Sequence, residues 1–251
     1  AYITGYFTST TLTSYDAPGN IVSSVPILTK KTPSDGYMIN YNTNGVAQWI
    51  IQVSGNIQQG SGHRIVSDSS GIYYTFMAFG PTVTIYDVSG ASSSLTVPAA
   101  GAFITAKFDY AGNLLWKLKY TGTFMTPDYF NAVKNQCYKN YLYTTIQNIT
   151  PGSSAYIYDT SDSLVYTLTN TTSRDASIIT KLDQSGNLIW ATKTPEYSGI
   201  FIDNDILSVC SINLYSTAQF YNADDLSVGA SVPLDDLSVM GVRANYTLDG
   251  R

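Results

Sequence analysis

One hairpin signal recurs four times in 251 residues, and recurrence at this spacing leaves few folds open to the chain. Three copies run from Tyr37 to Trp49, from Phe103 to Trp116 and from Ile178 to Trp190. Each is a β-like run, a tight turn closed by glycine, and a return toward tryptophan. A fourth copy, Val242 to Gly250, has the run and the turn but no tryptophan after them. Gly45, Gly112, Gly186 and Gly250 stand 67, 74 and 64 residues apart. A period of this length built from strands means supersecondary units that bury their faces against one another.

The turn chemistry is specific. Asp109-Tyr-Ala-Gly112 and Asp183-Gln-Ser-Gly186 place Asp first and Gly fourth, the preferences of a type I turn closed by a residue at positive φ. Asn42-Thr-Asn-Gly45 is the same device with Asn for Asp. The strand before the second turn alternates Phe103, Thr105, Lys107 with Ile104, Ala106, Phe108, which predicts a half-buried strand. A second element precedes each hairpin: Tyr15-Asp16, Tyr86-Asp87, Tyr158-Asp159 and Tyr221-Asn222, each ending a short β-like run and followed by a Ser- and Gly-rich turn and a further apolar run. A third lies earlier still, at Tyr2–Gly5, Ile72–Thr75, Leu142–Thr145 and Ile206–Val209. Each unit therefore carries two hairpins and an inserted strand pair.

Two hairpins make a four-stranded sheet, and successive sheets of this kind predict the blades of an all-β propeller. The order Tyr-Ile-Thr-Gly, a short strand, then Phe103-Ile-Thr-Ala-Lys-Phe-Asp-Tyr-Ala-Gly-Asn-Leu-Leu-Trp116 resembles the SBBP-type β-propeller repeat over essentially the whole chain. Repeats of the pyrroloquinoline-quinone type keep a longer Asp-to-Gly step, and sialidase Asp boxes a shorter one. The expected organisation is one propeller over residues 1–251, with repeats at about 1–60, 61–127, 128–197 and 198–251. The first residues already follow a strand pattern, and a tryptophan is missing after Gly250. The chain thus reads as a processed product or an excerpt. Its part-blades could complete one another in a four-bladed ring or belong to a larger one. Trp49, Trp116 and Trp190 share one repeat position and are expected to pack between blades.

Composition narrows the chemistry. Charged residues make up 12% of the chain, against about 25% in average domains, and polarity is carried by Ser, Thr, Asn and 21 tyrosines. A net charge of −5 and scattered Lys and Arg argue against nucleic acid, and the Lys30-Lys31 pair reads as a solvated loop. No apolar stretch approaches the ~18–20 residues that span a bilayer, which argues against membrane insertion. Cys137 and Cys210 lie in different repeats within alternating strands, and read as small buried side chains rather than a disulfide.

No catalytic constellation is legible. His63 is the only histidine, too few for a zinc site, and no Gly-x-Ser-x-Gly elbow supports a triad. The acid pairs Asp203 with Asp205, Asp224 with Asp225 and Asp235 with Asp236 read as solvated turns, lacking companion groups. Glycosylation sequons begin at Asn148, Asn170 and Asn245. The expectation is a propeller without catalytic residues, cofactor or metal, a structural or adhesive module of a virion or cell surface, or part of a larger assembly. It would bind protein or glycan through loops around Tyr15, Tyr86, Tyr158 and Tyr221, since Tyr offers rigid amphipathic area at low entropy cost. The alternative is a carbohydrate-active enzyme with acids converging in the central funnel.

Overall fold

The computed structural model describes residues 1–57, 63–123, 133–173, 175–195, 198–203, 206–211, 217–222 and 228–233. The first repeat supplies β1 (Tyr2–Phe7), β2 (Thr11–Leu12), β3 (Leu28–Thr29), β4 (Asp35–Tyr41) and β5 (Ala47–Ser54). The second supplies β6 (Arg64–Asp68), β7 (Gly71–Ala78), β8 (Thr82–Tyr86), β9 (Ser92–Thr96), β10 (Ala102–Phe108) and β11 (Leu114–Gly122). The third supplies β12 (Val133–Tyr138), β13 (Tyr141–Ile149), β14 (Ser154–Tyr158), β15 (Leu164–Thr169), β16 (Ala176–Leu182) and β17 (Leu188–Pro195). Then come β18 (Ser198–Asp203), β19 (Ile206–Ser211), β20 (Thr217–Asn222) and β21 (Val228–Pro233).

These strands form successive antiparallel sheets, with inner strands β6, β12 and β18 side by side. The second blade runs β6-β7-β10-β11 from inside to outside, and the third runs β12-β13-β16-β17. Blades stacked in this way around a shared inner line are the architecture of a β-propeller. Register aligns the copies: Asn40, Lys107 and Lys181 stand opposite Trp49, Trp116 and Trp190, and opposite Tyr2, Tyr73 and Tyr143 on the other side. Tyr2 thus corresponds to Tyr73 rather than Ile72, and Leu207 rather than Ile206 corresponds to Leu142, a one-residue shift from the alignment read in sequence.

Two of the inserted pairs do not join their own blades. β8–β9 leaves the second repeat and pairs with β5 of the first, with Gln52 opposite Tyr86 and Val53 opposite Ile85. β14–β15 leaves the third repeat and pairs with β11 of the second, with Tyr120 opposite Ile157. Val53 and Tyr120 both stand four residues after their tryptophan, so the two arms are seated in one register. Each arm widens the preceding blade and ties neighbours by main-chain hydrogen bonds as well as by packing.

Blade stacking also revises the expected half-burial of the third strand. All seven residues of β10, and all seven of β16, are buried. Ile104, Ala106 and Phe108 pack with Trp49, Ile51 and Val53 of the preceding blade. Phe103, with Leu118 and Tyr120, packs with Leu142, Ile178 and Leu182 of the following one. The alternation is real, but both faces meet protein. Thr105 and Lys107 are then polar groups in a buried face, and each is satisfied: Thr105 Oγ1 lies 2.9 Å from Thr75 Oγ1, and Lys107 Nζ donates to Ser70 Oγ at 2.7 Å and to Gln184 O at 2.8 Å.

Candidate functional site

One end of the propeller gathers the turns. The Asp109 turn closes with Gly112 N donating to Asp109 O at 3.1 Å, while Asn113 N donates to the Asp109 carboxylate at 2.8 Å. Asp183 and Asn42 repeat the arrangement. The arm turns use it as well. Gly90 N donates to Asp87 O at 3.0 Å and Ala91 N to the Asp87 carboxylate at 3.1 Å, with Asp16 and Asp159 as counterparts. The Asp of each Tyr-Asp pair is thus a turn former, a role the same three-residue step to Gly19 and Gly90 already signalled in sequence. Hydrogen bonds from Ser161 and Ser163 hold the Asp159 carboxyl below the usual range. Burial would raise Asp109, but bonds from Asn113 and neighbouring amides outweigh it and lower its pKa.

Hairpin turn, arm turn and tryptophan meet in a repeated joint. Trp49 Nε1 donates to Tyr110 O at 3.1 Å, and Trp116 Nε1 to Gln184 O at 2.9 Å, each across to the next blade. Gly112 sits against the Trp49 ring and Val88; a Cβ there would lie 3.1 Å and 3.2 Å from them. Gly186 sits in the same way against Trp116 and Thr160. The rings of Tyr2, Tyr73 and Tyr143 lie 5.9 Å from those of Trp49, Trp116 and Trp190, respectively. Gly250 lies outside the described residues.

A second repeated contact, which sequence reading missed, fastens the arms. Gln52 Nε2 donates to Thr29 O and Lys119 Nζ to Thr96 O, both at 2.8 Å, while Lys193 Nζ reaches Thr169 O at 3.4 Å. All three donors stand three residues after a tryptophan, and all three acceptors end an arm. Lys119 also pairs with Asp162 at 2.7 Å and lies 4.5 Å from the centre of the Tyr158 ring. Lys31 lies 4.7 Å over Tyr86 in the same manner.

The four tyrosines named from sequence are therefore placed differently. Tyr86 and Tyr158 are half-buried beneath lysines at arm joints. Tyr15 is 51% exposed, and Tyr221 belongs to β20. Other apolar side chains crown the turn face: Val88 (40% exposed), Tyr110 (48%), Leu115 (52%) and Ile189 (49%), of which Leu115 and Ile189 each precede a tryptophan. Asp87, Ser92, Leu115, Trp116, Lys117 and Thr160 line a groove of about 390 Å³ between two arm turns.

The remaining candidates are structural. His63 is buried, stacked between Tyr6 and Tyr74, with Nδ1 2.7 Å from the Tyr74 hydroxyl. Burial pushes the Cys137 thiol up to about 12, and Cys137 is a free cysteine. Asp68 accepts from Ser70 and from the Tyr73 hydroxyl. Asn170 is buried, its amide donating to Ile149 O at 2.9 Å, so this sequon is engaged in the fold rather than presented. Asp203 ends β18, and Asp205 and the other two acid pairs lie outside the described residues. Among the described residues no group of three His, Cys, Asp or Glu could hold a metal ion.

No protein-family model matches the chain. Over 137 residues it is 31% identical to an uncharacterized WD repeat-containing protein of Acanthamoeba polyphaga mimivirus, covering 53% of this chain. The matched stretch is 10% of that relative's length. Among solved structures, Sqt1 of Saccharomyces cerevisiae is similar over 88% of this chain and 73% of its own at 11% identity. The TM-score is 0.31.

Proposed function

We propose that this propeller is a non-enzymatic interaction module of a virion or cell surface, contacting a protein or glycan with its turn face. The observation that carries the reading is the set of exposed apolar side chains on the turn face: Leu115 on the 390 Å³ groove, and Val88, Tyr110 and Ile189 beside the turns of their own repeats. A contiguous apolar patch rimmed by polar residues marks an interaction surface. The carboxylates on the same face, Asp87, Asp109, Asp159 and Asp183, are committed to backbone amides. Low charge and abundant Tyr, Ser and Thr support the surface location, and kinship with a viral repeat protein is consistent with it.

The test is a panel of glycan-array and protein-binding measurements on the folded chain, run beside a glycoside-hydrolase substrate screen. The proposal expects ligand binding that Leu115→Ser and Tyr110→Ser weaken at least tenfold, with unchanged circular dichroism. Substrate turnover that an Asp→Asn change abolishes would contradict it.

A further inference from the structure

We infer that the groove between the two arm turns holds an uncharged hexose unit of a glycan. This rests on the reading of the turn face as a contact surface, and it names what that surface takes. Asp87, Ser92, Ser93, Leu115, Lys117 and Thr160 line the groove, whose volume is about 390 Å³. That is near the lower end of the roughly 300–1,000 Å³ of small-molecule sites. A sugar unit fits it better than a protein surface does.

The polar groups in the groove are unspent. Lys117 Nζ makes no hydrogen bond or ion pair among the described residues, and neighbouring Asp162 is taken by Lys119 at 2.7 Å. Partial burial holds the Lys117 pKa below the usual lysine value, with Asp162 opposing the shift. The hydroxyls of Ser92, Ser93 and Thr160 have no partner among the described residues either. Asp87 commits Oδ1 to Ser89 and Ala91, whereas its Oδ2 meets no donor among those residues.

This polarity departs from the repeat. The residue after tryptophan is Ile50 in the first blade and Ala191 in the third, both buried, but here it is Lys117. On β9, Ser92 and Ser93 stand opposite Tyr86 and Ile85, where β15 sets Leu164 and Tyr166 opposite Tyr158 and Ile157. Apolar side chains serve the fold at these positions, so the fold does not account for the polar set.

Its chemistry selects the ligand. An ammonium that only donates, a carboxylate oxygen that only accepts and hydroxyls that do both match the neighbouring hydroxyls of a sugar ring. Leu115, 52% exposed, offers an apolar contact for the ring's C–H face. A positive and a negative group share the groove in a chain of net charge −5, which favours an uncharged sugar over a sialic or uronic acid.

The full chain is tested on a glycan array carrying uncharged hexose termini beside sialylated and uronic ones, and by saturation-transfer NMR with the methyl glycosides of glucose, galactose and mannose. Uncharged hexoses should bind best. Lys117→Met should weaken them by about tenfold or more, and Ser93→Ala measurably, with circular dichroism unchanged. Preference for acidic termini, or hexose binding that neither variant alters, would overturn the inference. Binding of a protein that Leu115→Ser weakens, with no glycan bound, would overturn it while leaving the contact surface standing; failure of every glycan and protein probe would remove both.

Discussion

Among single residues, two glycines of the turn face show how one position can serve two needs at once. Gly112 has φ +92° and abuts Trp49 and Val88, whereas Gly90 has φ +82° and nothing within 4 Å of where a Cβ would stand. A side chain at either costs the left-handed penalty, and only at Gly112 does it also crowd a packed joint. Urea titrations should therefore show Gly90→Ala losing about 1–2 kcal/mol and Gly112→Ala roughly 2–4 kcal/mol. Equal losses would mean that the Trp49 joint yields freely. The turn carboxylates give a second expectation. Asp109 and Asp159 are held below the ordinary carboxylate range in the folded chain, so their contribution is complete above the unfolded value of about 3.9. It is lost as pH falls through the depressed folded values. Unfolding midpoints should hold level from neutral to about pH 5 and drop in stronger acid. An Asp109→Asn, Asp159→Asn chain should drop less steeply, because Asn42 shows that an amide can form this turn.

At the scale of elements, the hairpins were legible from sequence because the signal is local: a run, Asp, two residues, Gly and a return. The destination of the arms was not. Nothing within residues 82–96 states whether they pair with their own blade or the one before it, since that choice is made by contacts far away in sequence. One trace was visible in hindsight, the recurrence of Gln52, Lys119 and Lys193 three residues after tryptophan and of Thr29, Thr96 and Thr169 at the arm ends. Lys119→Ala removes a nearly buried donor from the Thr96 carbonyl and should cost about 1–3 kcal/mol by thermal or urea unfolding. Lys119→Gln should recover much of that loss, because Gln52 makes the same bond in the first repeat. A Gln variant no better than Ala would show that charge, through Asp162, matters more than the bond to Thr96.

At the scale of the whole molecule, the blades hold together by two means: apolar faces buried between successive sheets, and arms that continue one blade from the chain of the next. Sequence foresaw the first from alternation and tryptophan spacing. It understated how completely the third strands are enclosed, because alternation alone does not say that both sides of a sheet meet protein. The turn face, with Leu115 and Ile189 exposed beside the tryptophan joints, also escaped notice, since an apolar residue next to Trp reads as core until the sheet's outer rim is known.

Backbone cross-strand NOEs in an isotopically labelled sample would read the reach-back of the arms strand by strand. They should link residues 52–54 to 84–86 and residues 120–122 to 155–157. NOEs joining residues 155–157 to the third repeat's own strand at 141–149, with none to 120–122, would contradict the account.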